Sequence, residues 1–275
     1  MASVQIDGLR VAYERLGEGP PLVLLHGILQ DSRSWRRQLA QLSDELTVIA
    51  WDAPGTGQSS DPPGAFGMAD YAHCLSAFLD ALEVGQAHVL GLSWGGVLAQ
   101  EFYRHHPARV TSLILADTYA GWRGSLTQAV CAERLQACLR ESEMKPSEFV
   151  PGWLPGLLTE AAPPELASEL ASMMSDFHPA GYRLMAHALA SADECDLLPR
   201  IRVPTLLIWG EADRRSPLSV AEQFRAEIPG ARMTVIPGAG HVSNVEQAER
   251  FNAEVRNFCR SVAAGSSGPN TRSTA

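Results

Sequence analysis

The sequence has few cysteines and no strongly basic stretch, and each of these absences excludes a class of protein. The 5 cysteines are scattered along 275 residues. They show no CxxC or Cys/His metal spacing, which predicts reduced thiols rather than a disulfide framework or a zinc site. The formal net charge is −9, and no cluster of Lys and Arg is present to bind phosphates. We therefore expect no nucleic-acid partner.

Long apolar runs are also missing. No stretch approaches the roughly 20 apolar residues of a membrane span, and the first residues lack the basic and apolar regions of a signal peptide. We therefore predict a cytoplasmic protein without a membrane span. The length of 275 residues, with 45% hydrophobic and 19% charged residues, fits one large α/β domain with an insertion or two smaller domains.

Short apolar runs alternate with helical periodicity over most of the chain. Asp7-Gly8, between two alternating segments, predicts an initial β-hairpin. The runs predict strands buried on both faces, at 22–25, 46–50, 87–92, 110–116, 205–209 and 233–236. Helical periodicity lies between them, at 69–82, 95–106, 218–228 and 245–262. This order predicts an α/β protein with a mostly parallel central sheet and helices on both faces.

The alternation stops in the middle of the chain, where only helix-like segments occur, at 126–141, 164–174 and 180–190. We therefore expect a helical cap at 119–198, inserted between core segments 1–118 and 199–264. The remaining segment, 265–275, is small, polar and aperiodic, and we expect it to be a disordered tail.

The strongest chemical signal is a G-x-S-x-G motif that follows a predicted strand and precedes a predicted helix. Its serine is Ser93, flanked by Gly91 and Gly95. A nucleophile on a tight strand-to-helix turn needs small neighbours, and the helix N-terminus favours developing negative charge there. A glycine-rich turn without catalysis is the alternative interpretation.

A serine nucleophile needs a base and an orienting acid. Asp213 lies just beyond a predicted strand, at the edge where open α/β sheets collect catalytic groups. His241 lies in a glycine-rich loop before the last helix, and we assign it as the base. Glu211 and Asp117 are the alternative acids.

Acyl transfer also needs hydrogen-bond donors for the oxyanion. We assign this role to the backbone N–H groups of Ile28, in the loop after the first long apolar strand, and of Trp94. His26 precedes that loop, and we expect it to stabilise the loop rather than to carry a proton.

The segment Gly55-Thr56-Gly57-Gln58-Ser59-Ser60 imitates a dinucleotide-binding motif. Its third glycine is replaced by Ser60, and the prolines that follow block the helix such a site requires. We therefore predict no cofactor, and we predict no bound metal.

These motifs together resemble the α/β-hydrolase fold superfamily. They are His26-Gly27, the D-x-P-G-x-G-x-S segment from Asp52 to Ser59, the G-x-S-x-G turn, and the segments that end at Asp213 and His241. Residues 242–247 resemble those of 3-oxoadipate enol-lactonases and related small ester or lactone hydrolases. The resemblance implies hydrolysis of an ester or lactone through an acyl-enzyme. C–C bond hydrolysis, cofactor-free perhydrolysis and ligand binding without turnover remain alternatives with the same triad.

The insertion is expected to cover the site and to select a small, moderately apolar substrate. The predicted pocket residues are Leu29, Trp122, Trp153, Met185 and Val242. The cations considered within the insertion are Arg123, Arg134, Arg140, Lys145 and Arg183. We name no dicarboxylate substrate on this basis. A homo-oligomer is compatible with the sequence.

Overall fold

The computed structural model describes residues 1–266. It begins with a β-hairpin of strands β1 (Ala2–Ile6) and β2 (Leu9–Leu16), paired antiparallel. The connecting residues Asp7 and Gly8 have φ values of 47° and 84°. Two positive φ values in a two-residue loop match the right-handed twist of the paired strands, as a type I′ turn does. The predicted hairpin is confirmed.

The other strands form one sheet with this hairpin. They are β3 (Pro21–Leu25), β4 (Thr47–Trp51), β5 (Ala87–Leu92), β6 (Val110–Ala116), β7 (Thr205–Gly210) and β8 (Arg232–Ile236). The order across the 8-stranded sheet is β1-β2-β4-β3-β5-β6-β7-β8. Across the sheet from β4 to β8, each strand is parallel to its neighbours within that range. Strand β2 is antiparallel to both of its neighbours, β1 and β4. The α/β fold class is confirmed, and each predicted strand lies within one residue of its observed bounds at either end.

The core helices lie along this sheet. They are α1 (Arg36–Leu42), α2 (Met68–Ala81), α3 (Trp94–His105), α9 (Leu218–Glu227), α10 (Ser243–Glu246) and α11 (Ala248–Ser266). Helix α2 packs against α3, while α1, α10 and α11 pack together as a second group. The single helix predicted at 245–262 is wrong in one respect. The chain breaks at Gln247, whose φ of −130° and ψ of 51° are not helical, so α10 and α11 are separate.

Every element between β6 and β7 is a helix. These helices are α4 (Gly121–Ser125), α5 (Gln128–Glu141), α6 (Pro146–Leu157), α7 (Pro164–Ser175) and α8 (Pro179–Ser191). The periodicity predicted α5, α7 and α8 but missed α4 and α6. Helix α6 contains Pro151 and Pro155. Proline removes a helical hydrogen bond, but α6 buries Phe149 and Trp153. That burial offsets the lost hydrogen bonds.

The core sits on the central strands. Every residue of β4, β5 and β7 is buried, as expected for parallel strands covered on both faces. All 5 cysteines are free thiols. Within residues 1–266, no helix is both long and apolar enough to cross a membrane. The predicted tail begins inside α11, which continues to Ser266, and its remaining residues, 267–275, lie outside the described part of the chain.

Candidate active site

Ser93 lies on a tight turn between β5 and α3, in a backbone conformation that L-residues rarely adopt. Its φ is 53° and its ψ is −115°. A Cβ atom on Gly91 would come within 2.1 Å of the carbonyl oxygen of Gly95, and one on Gly95 within 2.0 Å of that of Leu25. Only glycine fits these two positions. The turn therefore holds the Ser93 side chain at the carboxyl edge of the sheet, in a strained backbone geometry of the kind found at functional sites.

The three predicted triad side chains meet at this edge. His241 Nε2 lies 2.9 Å from Ser93 Oγ, and His241 Nδ1 lies 2.8 Å from Asp213 Oδ2. All three residues are buried. The hydroxyl, the imidazole and the carboxylate thus form one continuous chain of hydrogen bonds.

The Asp213 carboxylate is fixed by its own loop. Its Oδ1 atom accepts hydrogen bonds from the backbone N–H groups of Arg215 at 2.8 Å and Ser216 at 3.0 Å. This leaves Oδ2 to accept from His241 Nδ1. With the proton on Nδ1, Nε2 keeps a lone pair and accepts the Ser93 hydroxyl proton.

The two alternative acids are placed elsewhere. Asp117 Oδ1 accepts from the Gly210 N–H at 2.7 Å, and Oδ2 accepts from Ser243 Oγ at 2.5 Å. Burial and the nearby Asp213 carboxylate raise the pKa of Asp117 well above its usual range. Glu211 accepts from a backbone N–H at 3.2 Å and is exposed. Among these three carboxylates, Asp213 is the partner of the imidazole.

The two amides predicted to form an oxyanion hole lie in the loop after β3 and at the start of α3. Ile28 lines the same cavity as Ser93, and Trp94 is the first residue of α3. Within residues 1–266, neither backbone N–H donates to a protein acceptor. Free amides in a buried site are rare, because each one costs free energy unless it has a partner. Their assignment to an oxyanion hole stays a prediction.

His26 is fully buried and lies in contact with two backbone segments. Its Nδ1 lies 2.8 Å from the Gly27 carbonyl oxygen, and its Nε2 accepts from the Ala53 N–H at 3.1 Å. Because Nε2 must accept, Nδ1 carries the proton and the ring is neutral. Burial lowers the pKa of His26 in agreement with this tautomer. The ring thus joins two loops, as expected from the sequence.

The predicted pocket residues divide into three groups. Trp122 and Trp153 line the narrow cavity at Ser93. Leu29 and Met185 instead line a neighbouring cavity beside Gly55 and Phe177. Leu29 has a φ of 60°, and the role of these two residues in substrate binding stays a prediction.

Val242 is the remaining residue predicted to line the pocket. It is fully buried and lines neither the cavity at Ser93 nor the one beside Gly55. Its position next to His241 suggested the pocket, but the backbone turns into α10 at this point. The side chain therefore belongs to the core.

Other residues complete the wall of the cavity at Ser93. The sequence reasoning did not assign them to the pocket: Tyr119, Arg134, Leu157, Leu189 and Arg215. Arg134 is one of the cations of the insertion named from the sequence, whereas Arg215 is not. Arg215 lies two positions after Asp213, outside the insertion, and only the folded chain shows that it faces the insertion.

The chain is similar to known proteins over most of its length. A profile of the Alpha/beta hydrolase family matches residues 22–254. The 3-oxoadipate enol-lactonase 2 of Acinetobacter baylyi is 29% identical over 248 residues, covering 88% of this chain and 90% of that protein. The poly(3-hydroxyalkanoate) depolymerase of Ectopseudomonas oleovorans is 31% identical over 248 residues, covering 86% of this chain and 83% of that protein.

A solved structure gives a similar result. A thermophilic esterase from Thermogutta terrifontis, with malate bound, superposes with a TM-score of 0.88 at 31% identity, over 94% of this chain and 97% of that one. The family profile covers most of the chain, including all three triad positions. The resemblance predicted from the motifs is confirmed, and the chain belongs to the alpha/beta hydrolase family.

Proposed function

We propose that this protein is a serine hydrolase that cleaves a carboxylic ester or lactone through an acyl-enzyme. One observation carries the proposal: the hydrogen-bond chain from Ser93 Oγ through His241 to Asp213, at 2.9 Å and 2.8 Å. A serine hydroxyl becomes a nucleophile when a neighbouring imidazole takes its proton. The names of the enol-lactonase, depolymerase and esterase relatives support hydrolysis of an ester bond.

The first half of the reaction forms the acyl-enzyme. Ser93 Oγ attacks the substrate carbonyl carbon while His241 Nε2 accepts its proton. The tetrahedral oxyanion accepts hydrogen bonds from the free N–H groups of Ile28 and Trp94. The protonated imidazole then donates its proton to the leaving oxygen, and the C–O bond breaks. Asp213 stabilises the imidazolium and stays ionised throughout.

The second half of the reaction repeats this order with water. His241 accepts a proton from a water molecule, and the resulting hydroxide attacks the acyl carbon. Collapse of the tetrahedral intermediate returns the proton to Ser93 Oγ and releases a carboxylic acid. For a lactone, the ring opens in the first half, and the product is a single hydroxy acid or its keto tautomer.

Helices α4–α8 act as the cap in this proposal. Trp122 of α4 and Trp153 of α6 line the cavity at Ser93. Their rings exclude water from the reacting groups, which strengthens the hydrogen bonds to the oxyanion. These two rings fit a small, moderately apolar acyl group or ring.

Proton release in a pH-stat tests the proposal, with linear esters of increasing acyl length and lactones of several ring sizes as substrates. We expect turnover of at least one substrate and its loss in Ser93→Ala. Turnover that persists in Ser93→Ala would contradict the proposal. If no ester or lactone is turned over, product analysis with C–C substrates or peroxide, and ligand binding without turnover, distinguish the alternatives that share this triad.

A further inference from the structure

Two arginines border the cavity at Ser93, and neither has an acidic partner in the part of the chain that the structure describes. Arg134 and Arg215 both line that cavity together with His241. Within residues 1–266, no carboxylate forms an ion pair with either guanidinium, although Arg33, Arg37, Arg104, Arg109, Arg200, Arg256 and Arg260 each have one. Two unpaired cations side by side in a protein of net charge −9 require an explanation.

The Arg215 guanidinium is the more exceptional of the two. Its carbon lies 3.8 Å from the centroid of the Trp153 ring. A guanidinium carries five N–H donors, and no acceptor for any of them is found in the described part of the chain. Burial and the charge of Arg134 lower the pKa of Arg215. The site thus holds a half-buried cation whose donors, unused by the described part of the chain, are available to acceptors on a ligand.

Arg134 is held in place but keeps free donors. Its Nη1 donates to the Tyr119 hydroxyl oxygen at 2.9 Å, and its Nη2 donates to the backbone carbonyl of Arg215 at 3.4 Å. The second contact joins the two arginines directly. Since Arg134 uses two of its five donors, three remain for a ligand. The two positively charged guanidinium groups therefore present preorganised hydrogen-bond donors to a ligand.

The position of the pair relates it to a bound substrate. The cavity at Ser93 has a volume of only about 20 Å³, whereas an adjoining outer pocket has about 440 Å³. Four side chains line both spaces: Trp122, Arg134, Trp153 and Arg215. A substrate that spans both spaces with its carbonyl at Ser93 would place its other atoms beside these four groups. Two of them are aromatic and two are cationic.

From this juxtaposition we propose that Arg134 and Arg215 form an anion subsite, and that the substrate is an ester or lactone that carries a carboxylate away from the reacting carbonyl. The fork of guanidinium donors matches a carboxylate in geometry and charge. Trp122 and Trp153 contact the carbon chain between the two ends. The outer pocket also contains Glu141 and Glu148, but their carboxylates accept from the Tyr182 hydroxyl and the Lys145 N–H. The inference of a substrate class rests on the proposed hydrolase function.

A purely structural role for Arg215 is the alternative, in which stacking on Trp153 only attaches the insertion to the core. The two roles differ in what they predict for matched substrates. Loss of a structural contact lowers activity on neutral and anionic esters alike. Loss of an anion subsite lowers activity on anionic esters selectively.

The experiment compares 4-nitrophenyl monoesters of succinate, glutarate and adipate with neutral 4-nitrophenyl esters of the same chain length. The readout is the ratio of kcat/KM for anionic over neutral ester, in the parent, Arg215→Gln, Arg215→Lys and Arg134→Gln. Charge-assisted hydrogen bonds contribute about 1.5–3 kcal/mol, so we expect the ratio to fall about 10- to 100-fold in either Gln variant, mainly through KM. Arg215→Lys should retain part of the parent's preference for anionic esters, because lysine keeps the positive charge.

Arg123→Gln is the matched control, because Arg123 is an exposed cation of the insertion that lines neither space. Its ratio should equal that of the parent. An unchanged ratio in both Arg215→Gln and Arg134→Gln, with neutral esters still hydrolysed, would overturn the anion subsite but not the hydrolase.

Calorimetric titration of glutarate into Ser93→Ala separates the two proposals further, since it needs no turnover. We expect binding that Arg215→Gln weakens at least tenfold. Arginine-dependent glutarate binding in a protein that hydrolyses no ester would support the subsite and contradict the proposed hydrolase. The subsite would be contradicted if glutarate does not bind to Ser93→Ala, or if it binds equally well to Ser93→Ala and to Ser93→Ala/Arg215→Gln.

Discussion

Ser93 Oγ and His241 Nε2 lie 2.9 Å apart although 148 positions separate the two residues in the chain. Ser93 follows β5, and His241 lies in the loop between β8 and α10. In the sheet, β6 and β7 lie between β5 and β8. The parallel arrangement brings the carboxyl ends of these strands to one edge. The contact between Ser93 and His241 is therefore a consequence of the sheet topology. The proposed proton transfer depends on the meeting of these strand ends at the carboxyl edge of the sheet.

Removal of the Ser93 hydroxyl tests the nucleophile. We expect Ser93→Ala to lower kcat by about 10³- to 10⁶-fold, and Ser93→Ala/His241→Ala to be little worse than either single variant, because triad members act as one unit. Initial rates on the preferred ester measure this. Thermal melts that match the parent are the control for folding, and additive losses in the double variant would contradict a shared role.

The choice of acid is tested by two matched amide substitutions. Asp213→Asn should lower kcat by about 10⁴-fold, because Asn stabilises the wrong imidazole tautomer. Asp117→Asn should change kcat by less than about tenfold, since an amide can accept from the Gly210 N–H and donate to Ser243 Oγ. Steady-state kinetics of both variants decide the matter. The opposite ranking would show that Asp117 is the acid.

Buried histidine makes stability depend on pH with a definite sign. Burial lowers the pKa of His88, whose Nδ1 lies 2.7 Å from Ser112 Oγ. Below the unfolded pKa of about 6.5, the unfolded chain binds a proton at this residue that the folded chain does not. The stability that neutral His88 contributes is therefore present above that pH and is lost as the pH falls.

The measurement is urea denaturation of the parent and His88→Asn between pH 7.5 and 5.0. The parent should lose more free energy of unfolding than the variant on acidification, because the variant has no ring to protonate. Asn keeps a polar group near Ser112, so the comparison isolates titration. Equal pH slopes in the two proteins would refute this assignment.

The close approach at the nucleophile turn predicts an asymmetry between two glycines. Gly95→Ala should destabilise the protein by about 2 kcal/mol or more, since its Cβ would lie 2.0 Å from the Leu25 carbonyl oxygen. Gly152, inside α6, has nothing within 4 Å of a Cβ. Gly152→Ala should therefore raise stability by about 0.5–1 kcal/mol through helix propensity. Thermal or urea unfolding checks both, and equal effects would show that the turn adapts.

The strands were predictable because the central ones are buried on both faces and read as short apolar runs, as in Ala87–Leu92. Helix α6 was not predicted because Pro151 and Pro155 are strong helix breakers, and only packing of Phe149 and Trp153 compensates for them. Local sequence patterns are sufficient to predict the strands, whereas helix α6 depends on tertiary contacts.

The triad positions were readable because the chemistry of Ser93, Asp213 and His241 requires particular residues at strand ends. The pocket was not. Met185 and Leu29 face a different cavity, and Arg215 reaches the site because its side chain stacks on Trp153 of another element. Which side chains face a cavity depends on the relative placement of helices, and no periodicity encodes it.

The most direct test of the central claim is covalent labelling with a fluorophosphonate, followed by intact-mass and peptide mass spectrometry. An activated serine displaces fluoride and retains the phosphonyl group. We expect one phosphonyl group per chain, on the peptide that contains Ser93, with labelling slowed at least about 10²-fold in His241→Ala. A folded protein that stays unlabelled, or that is labelled at another residue, would contradict the claim that Ser93 is the nucleophile.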